Sequence, residues 1–382
     1  MKKVILIVTL LASWVINPLQ VLSQYAAADS LLATLVASSP AVGISVAVVK
    51  KNRIVYTHSS GLKNISKQEP LTNDCLFRIA SISKSFSATS IMQLYEQGKL
   101  SLDQDVSELI GFPVRNPAFP DKAITLRLML SHLSSINDSQ GYFSLDSINP
   151  AKSAQFANCF SKYEPGTHYD YCNMNYNMIG AIIEKVSGER FDQYVVNHIL
   201  QPLKIYGGYN LDELDNSKLA SIYEYKTDSA AFLLSPGAYA SRTREVAQYV
   251  MGYSTPIFSP TGGMKISATN LAKYMLMHSK MGKAKGARIL QRSSAMMMQT
   301  PANGTLGYGF AIETSDKIIP GEIMKGHTGS AYGLYSAMFF HPTKKYGIVV
   351  ISNGCAPGYT NGLNTVIRKT IEGLYQIIIH PN

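Results

Sequence analysis

The stretch RIASISKSFSATSIMQLYEQGKL, residues 78–100, decides how this chain is read. Ser81 is followed three residues later by Lys84, and Phe86, Ser90, Ile91 and Leu94 then recur at helical spacing until Gly98 stops the pattern. A helix over 81–96 is therefore predicted. On a helix, residues three apart share a face, with Cβ atoms about 5–6 Å apart, so the lysine amine reaches the serine hydroxyl. A hydroxyl is a poor nucleophile until a neighbouring base takes its proton, and a lysine serves as that base only where burial or nearby cations depress its pKa. The first helical turn adds free backbone N–H groups and the positive end of the dipole, both of which favour negative charge beside Ser81. The plainer account of the same residues is a serine cap followed by a solvated lysine. The spacing also recurs at Ser60-Gly-Leu-Lys63, where a preceding strand and Gly61 deny the pair a helix.

Working outward, two β-branched runs upstream, 44–49 and 54–57, flank a polar turn and read as an antiparallel hairpin. Near the other end, runs 335–340 and 348–352 surround a Pro and Gly turn, and a helical pattern over 363–378 follows. Leu31, Leu32, Leu35 and Val36 give one more helix before the first strand. The middle is mostly helical, with patterns at 126–131, 176–186, 192–199, 270–281 and 293–298 separated by Pro, Gly and Asn-rich loops. The predicted fold class is α/β of the α+β kind: an antiparallel sheet built from N- and C-terminal strands, flanked by helices, with a large mostly helical region inserted. The expected division is a sheet part, 24–75 with 302–382, and a helical part, 76–301, together forming one catalytic domain with its site in the groove between them.

The chain opens with Lys2 and Lys3, an apolar run over 4–16, and small residues at Val21 and Ser23. That is the pattern of a secretory signal peptide over 1–23. Its apolar run is shorter than the ~20 residues a membrane span needs. The mature protein is thus expected in a periplasmic or extracellular space, without stable membrane insertion. The formal charge of +10 is spread along 382 residues without a basic run, which argues against nucleic acid as a partner. Cys75, Cys159, Cys172 and Cys355 allow three full pairings or buried free thiols, and their spacing, like that of the eight histidines, fits no metal site. No cofactor is called for.

Two further stretches give Ser81 and Lys84 company: PGTHYDYCNMNYNMIGAIIEKVSG at 165–188 and KGHTGSAYG at 325–333. With them the chain resembles the serine β-lactamase and penicillin-binding-protein superfamily, on the branch of class C β-lactamases, D-peptidases and related esterases. That family carries Ser-x-x-Lys, Tyr-x-Asn or Ser-x-Asn, and Lys/His-x-Gly in this order, here Ser81-Ile-Ser-Lys84, Tyr171-Cys-Asn173 and His327-Thr328-Gly329. Supporting stretches at 124–135 and 260–275 extend the likeness over about residues 40–353.

The resemblance implies a β-lactamase/transpeptidase-like fold and residue roles. Ser81 would be the acylated nucleophile, and Lys84 with Tyr171 would move its proton, Tyr171 having a pKa lowered by Lys84. Asn173 would donate to the substrate's acyl-amide oxygen and help hold Lys84. Gly329 would leave room for a substrate backbone beside His327 and Thr328. The backbone N–H groups of Ser81 and Ser330 would form the oxyanion hole. His327 departs from the lysine of class C enzymes, and a histidine with an ordinary pKa near 6.5 is largely neutral at pH 7. The implied protein is an exported serine hydrolase acting on D-amino-acid-containing peptides or small esters. The alternatives are a class C-like β-lactamase and, in another class, a penicillin-binding sensor or scaffold without turnover. The partner in each case is a small-molecule or peptide substrate.

Overall fold

The computed structural model describes residues 18–381. Most of the expected leader, residues 1–17, lies outside them. The first helix, Pro18–Ser38, runs through the expected cleavage point and buries Ala28, Leu32 and Leu35. Among the described residues no helix is long and apolar enough to cross a membrane.

An eight-stranded antiparallel sheet is the frame. Its order is Gly307–Tyr308, Glu313–Ile319, Glu322–Ala331, Leu334–Phe340, Gly347–Cys355, Ala41–Lys50, Arg53–Asn64 and Glu69–Pro70. The two ends of the chain meet at its centre, where Ile44 lies opposite Ser352 and Val48 opposite Ile348. The expected hairpin forms around Lys51 and Asn52, both with positive φ (52° and 60°), the backbone that matches the right-handed twist of two-residue turns.

Ala41–Lys50 is apolar almost throughout because both sheet faces are covered. Ile44, Val46 and Val48 point to one face, packed with Leu32, Leu35, Ile367 and Ile371 of the terminal helices. Ala47 and Val49 point to the other, shared with Leu271 and Met275 of the Ala268–Ser279 helix. The helices predicted in the middle are present: Ser83–Glu96, Leu126–Leu130, Asn173–Ser187, Phe191–Val195 continuing through Val196–Leu200, Ala268–Ser279 and Arg292–Gln299. Ser83–Glu96 and Asn173–Ser187 pack together in the core, which brings their N-terminal ends, and so the first two motifs, to one place. The structure adds short strands that lack a periodic signal, among them Phe77–Arg78 paired with Lys265–Ile266, and the hairpin Tyr223–Lys226 with Ala231–Leu234.

Candidate active site

The predicted helix is divided where Ser81 stands. Ala80 takes a left-handed φ of 47° at the end of the Phe77–Arg78 strand, a single 3-10 turn Ala80–Ile82 follows, and the α-helix begins at Ser83. A non-glycine residue held there costs about 1–3 kcal/mol. The result is a sharp corner that turns Ser81 toward an open cleft while Lys84, one turn on, is fully buried.

Lys84 Nζ lies 3.2 Å from Ser81 Oγ, 2.8 Å from Asn173 Oδ1 and 3.0 Å from the Thr261 carbonyl oxygen. Among the described residues no carboxylate touches it. Burial lowers its pKa from 10.5 to about 7, only partly opposed by the more distant Asp138. Two of its three neighbours can only accept hydrogen bonds. A neutral amine therefore gives both N–H groups to Asn173 and Thr261, leaving its lone pair directed at the Ser81 hydroxyl.

Tyr171 stacks beside this pair, with Lys84 Nζ 4.8 Å from its ring centre, and it hydrogen-bonds Ser81. The expectation of a lowered phenol pKa is overturned. Burial pushes it up, and the Ser81 hydrogen bond only partly offsets this, because the ring lies against His132 at 4.3 Å in place of water. His132 is itself buried and held well below its usual pKa, so it supplies no charge. Tyr171 is thus a neutral phenol, a carrier of a proton rather than a standing base.

Asn173 begins its helix, and Asp138 caps it. The Asp138 carboxylate accepts from the backbone N–H groups of Asn173 (2.8 Å) and Met174 (2.9 Å) and from Asn173 Nδ2 (2.8 Å). A carboxylate at a helix N-terminus satisfies orphan donors and the dipole together. It also fixes the Asn173 amide so that Oδ1 faces Lys84 and Thr261 Oγ1, the latter at 2.8 Å. One Asn173 N–H remains for a substrate. Asp138 and Thr261 were missed as site residues: Asp138 has no motif around it, and Thr261 was marked only by the PTGG stretch at 260–263.

The third motif lies within the Glu322–Ala331 strand, whose neighbour on one side is paired only as far as Gly326. The unpaired stretch from His327 onward faces the Ser81 corner. At this motif the expectations need correction. His327 is 1% exposed, and burial together with the Lys84 charge lowers its pKa to about 3. It sits between Tyr308 and Tyr171, at 5.2 and 6.4 Å between ring centres, and does not line the Ser81 cleft. It cannot offer a cation to a substrate carboxylate. At Gly329 a Cβ would stand 2.2 Å from the Ile79 carbonyl oxygen, so the missing side chain makes room for the nucleophile's own turn rather than for a substrate backbone. Thr328 and Gly329 border a separate small hollow. Ser330 lines the same cleft as Ser81.

The cleft has a volume of about 490 Å³ and is lined by Arg78, Ser81, Tyr171, Asn173, Thr261 and Ser330 among others. The competing copies lie elsewhere. Ser60 and Lys63 are on the Arg53–Asn64 strand, with Lys63 bonded to the Ser217 carbonyl and Glu69, and a second Tyr-x-Asn, Tyr359-Thr360-Asn361, has its tyrosine exposed. All four cysteines are buried free thiols. Burial raises the Cys172 pKa well above its usual value, so it is no thiolate.

Known proteins resemble this chain over most of its length. The family model described as Beta-lactamase matches residues 28–371. Penicillin-binding protein 4 of Amycolatopsis lactamdurans is 25% identical over 322 residues, 78% of this chain and 77% of that protein. Other curated relatives extend further, the match taking in 63% of protein flp of Staphylococcus aureus. Two solved structures share the fold. One is the D-amino acid amidase from Ochrobactrum anthropi SV3 complexed with D-phenylalanine (TM-score 0.71, 21% identity, 94% of this chain and 99% of that one). The other is EstCE1, a hydrolase with promiscuous acyltransferase activity (TM-score 0.72, 21% identity, 92% and 99%).

Proposed function

The chain belongs to the beta-lactamase family of serine hydrolases, and from that premise we propose that it cleaves amide or ester bonds through an acyl-Ser81 intermediate. The observation that carries this reading is the Lys84 amine, with both N–H groups taken by acceptors and its lone pair 3.2 Å from Ser81 Oγ. In acylation the Ser81 proton passes to Lys84 as Oγ attacks the carbonyl carbon. The oxyanion is met by the N–H groups of Ser81 and Ser330, each such donor being worth ~3 kcal/mol of barrier. Tyr171 hands its phenolic proton to the leaving nitrogen or oxygen and is reprotonated from the Lys84 ammonium. Water then attacks the acyl ester, its proton moves back along the same groups, and Ser81 is released.

The favoured substrates are D-amino-acid-containing amides or peptides and small esters. The D-amino acid amidase and the acyltransferase-active hydrolase among the neighbours support this choice, as does a neutral, buried His327 that gives no cation for a β-lactam carboxylate. Export is part of the proposal and rests on the basic and apolar leader over 1–23. Reactivity is tested by labelling with a fluorophosphonate or fluorescent penicillin, expected to be lost in Ser81→Ala and kept in Ser60→Ala. A label that never leaves would make the protein a sensor. A panel of a D-alanyl peptide, a p-nitrophenyl ester and a chromogenic cephalosporin ranks the substrates, and rapid cephalosporin turnover would put β-lactams ahead of peptides and esters.

A further inference from the structure

Beside the cleft lies a second, enclosed hollow that shares Arg78, Phe143, Ser259 and Tyr332 with it and adds Lys265 and Arg242. Its lining holds three cations and no acid. Arg78 and Lys265 are 9% and 7% exposed, and neither forms an ion pair among the described residues. Arg78 donates only to neutral oxygens: the Gly262 carbonyl at 2.8 Å, the Ala238 carbonyl at 3.4 Å and Ser259 Oγ at 3.3 Å. Lys265 Nζ donates to the Tyr209 carbonyl. Among the described residues only Arg242 of the three cations has an acid, Glu245 at 2.8 Å; Asp192 and Asp212, the acids whose charge reaches Lys265, are spent on Arg190 and Thr243 Oγ1. Two cations withdrawn from water without a counter-charge are costly. Of the five guanidinium and three ammonium N–H donors, several stay uncommitted. The hollow offers about 30 Å³, room for a carboxylate but not for a ring.

The direction of the substrate follows from the strand. Tyr171, which handles the proton, lies beside His327, at 6.4 Å between ring centres and to one side of Ser330 along the strand. At the other, Tyr332 lies under the Arg78 guanidinium at 5.2 Å. A methyl group at Gly262 would stand 3.8 Å from both Arg78 Nη2 and the Ala80 carbonyl carbon, so the guanidinium approaches the nucleophile's corner. The leaving group, which needs a proton, departs toward Tyr171, and the acyl half extends toward Tyr332. We infer that Arg78 and Lys265 form a carboxylate subsite for the acyl half, so that the preferred substrates carry an acid a few carbons from the scissile carbonyl. This inference rests on the acyl-serine reading of the cleft. Burial lowers the Lys265 pKa to about 7, and a bound carboxylate would restore its charge.

The test compares mono-p-nitrophenyl glutarate with p-nitrophenyl valerate, esters of equal chain length that differ in a terminal carboxylate. Wild type is expected to favour the glutarate ester in kcat/KM by about tenfold or more, the worth of one charged hydrogen bond. Lys265→Met should remove that preference by slowing the glutarate ester while the valerate rate stays unchanged. Equal losses on both esters, or a wild-type preference for valerate, would overturn the subsite. Calorimetric titration of Ser81→Ala with glutarate supplies a readout independent of turnover. Saturable binding, lost in the Ser81→Ala, Lys265→Met double variant, upholds the site even if neither ester is hydrolysed and the acyl-serine reading fails. Absence of binding together with equal ester rates sinks it. Should Lys265→Met fold poorly, Arg242→Met, at a half-buried rim position paired with Glu245, is expected to weaken the glutarate preference in the same sense, and no change there or in the titration would count against the subsite.

Discussion

Lys84 makes the sharpest forecast, because its role depends on one number. With an ordinary pKa near 10.5, about one lysine in three thousand would be neutral at pH 7; at about 7, roughly half are. The acylation rate should therefore rise tenfold per pH unit on the acid side and level off with a midpoint near pH 7. The assay is the pH dependence, from 5 to 9, of kcat/KM for a p-nitrophenyl ester or of the rate of fluorescent-penicillin labelling. Asp138→Asn keeps a competent helix cap but removes the negative charge that holds the Lys84 pKa up. Its acid limb is expected at lower pH than that of wild type. Lys84→Met should lose about 10²–10⁴ in rate and the limb with it. The same shift has a stability signature. The folded pKa lies below the unfolded one, so the unfolded chain binds more protons between about pH 7 and 10.5, and stability rises with pH across that window. The wild-type melting temperature should accordingly climb from pH 7 to 9 more than that of Lys84→Met, the comparison cancelling the like contribution of Lys265. A limb absent between pH 5 and 9, or retained in Lys84→Met, would refute the assignment of the base.

Three other outcomes are expected. Gly329→Ala places a methyl 2.2 Å from the Ile79 carbonyl oxygen and 2.5 Å from Ser336 Oγ, both beside the nucleophile's turn; it should cost about 1–3 kcal/mol in chemical denaturation and most of the activity. Asp138→Ala removes the cap of the Asn173–Ser187 helix, destabilising by about 1–2 kcal/mol and slowing acylation as Asn173 loses its fixed orientation. His327→Gln should leave the midpoint of the acid limb in place, since a ring held near pKa 3 is already neutral throughout the assay range; a limb that vanishes with His327 would make the histidine, not Lys84, the titrating group.

The parts of this protein that were legible in its sequence are those set by local periodicity. Ser81 and Lys84 share a helix face because helical geometry ties residues three apart. The polar turn from Lys50 to Arg53 and the apolar runs at either end announced a central hairpin and its partners, and three motifs in order named the family. What the linear chain could not state is the environment each group meets. Lys84 becomes a base only when the Asn173 helix and the Thr261 loop exclude water from it, and Tyr171 is kept neutral by the same exclusion. His327 reads as a largely neutral ring at a substrate-binding position, yet packing between two tyrosine rings withdraws it from the cleft altogether. Asp138, Arg78 and the Thr261–Lys265 stretch come from three separated segments, and only the packing of those segments brings them together around the cleft and its neighbouring hollow. Dielectric and proximity across long loops are properties of the assembled core, so the proton chemistry and the charge of the pocket were decided by tertiary structure alone.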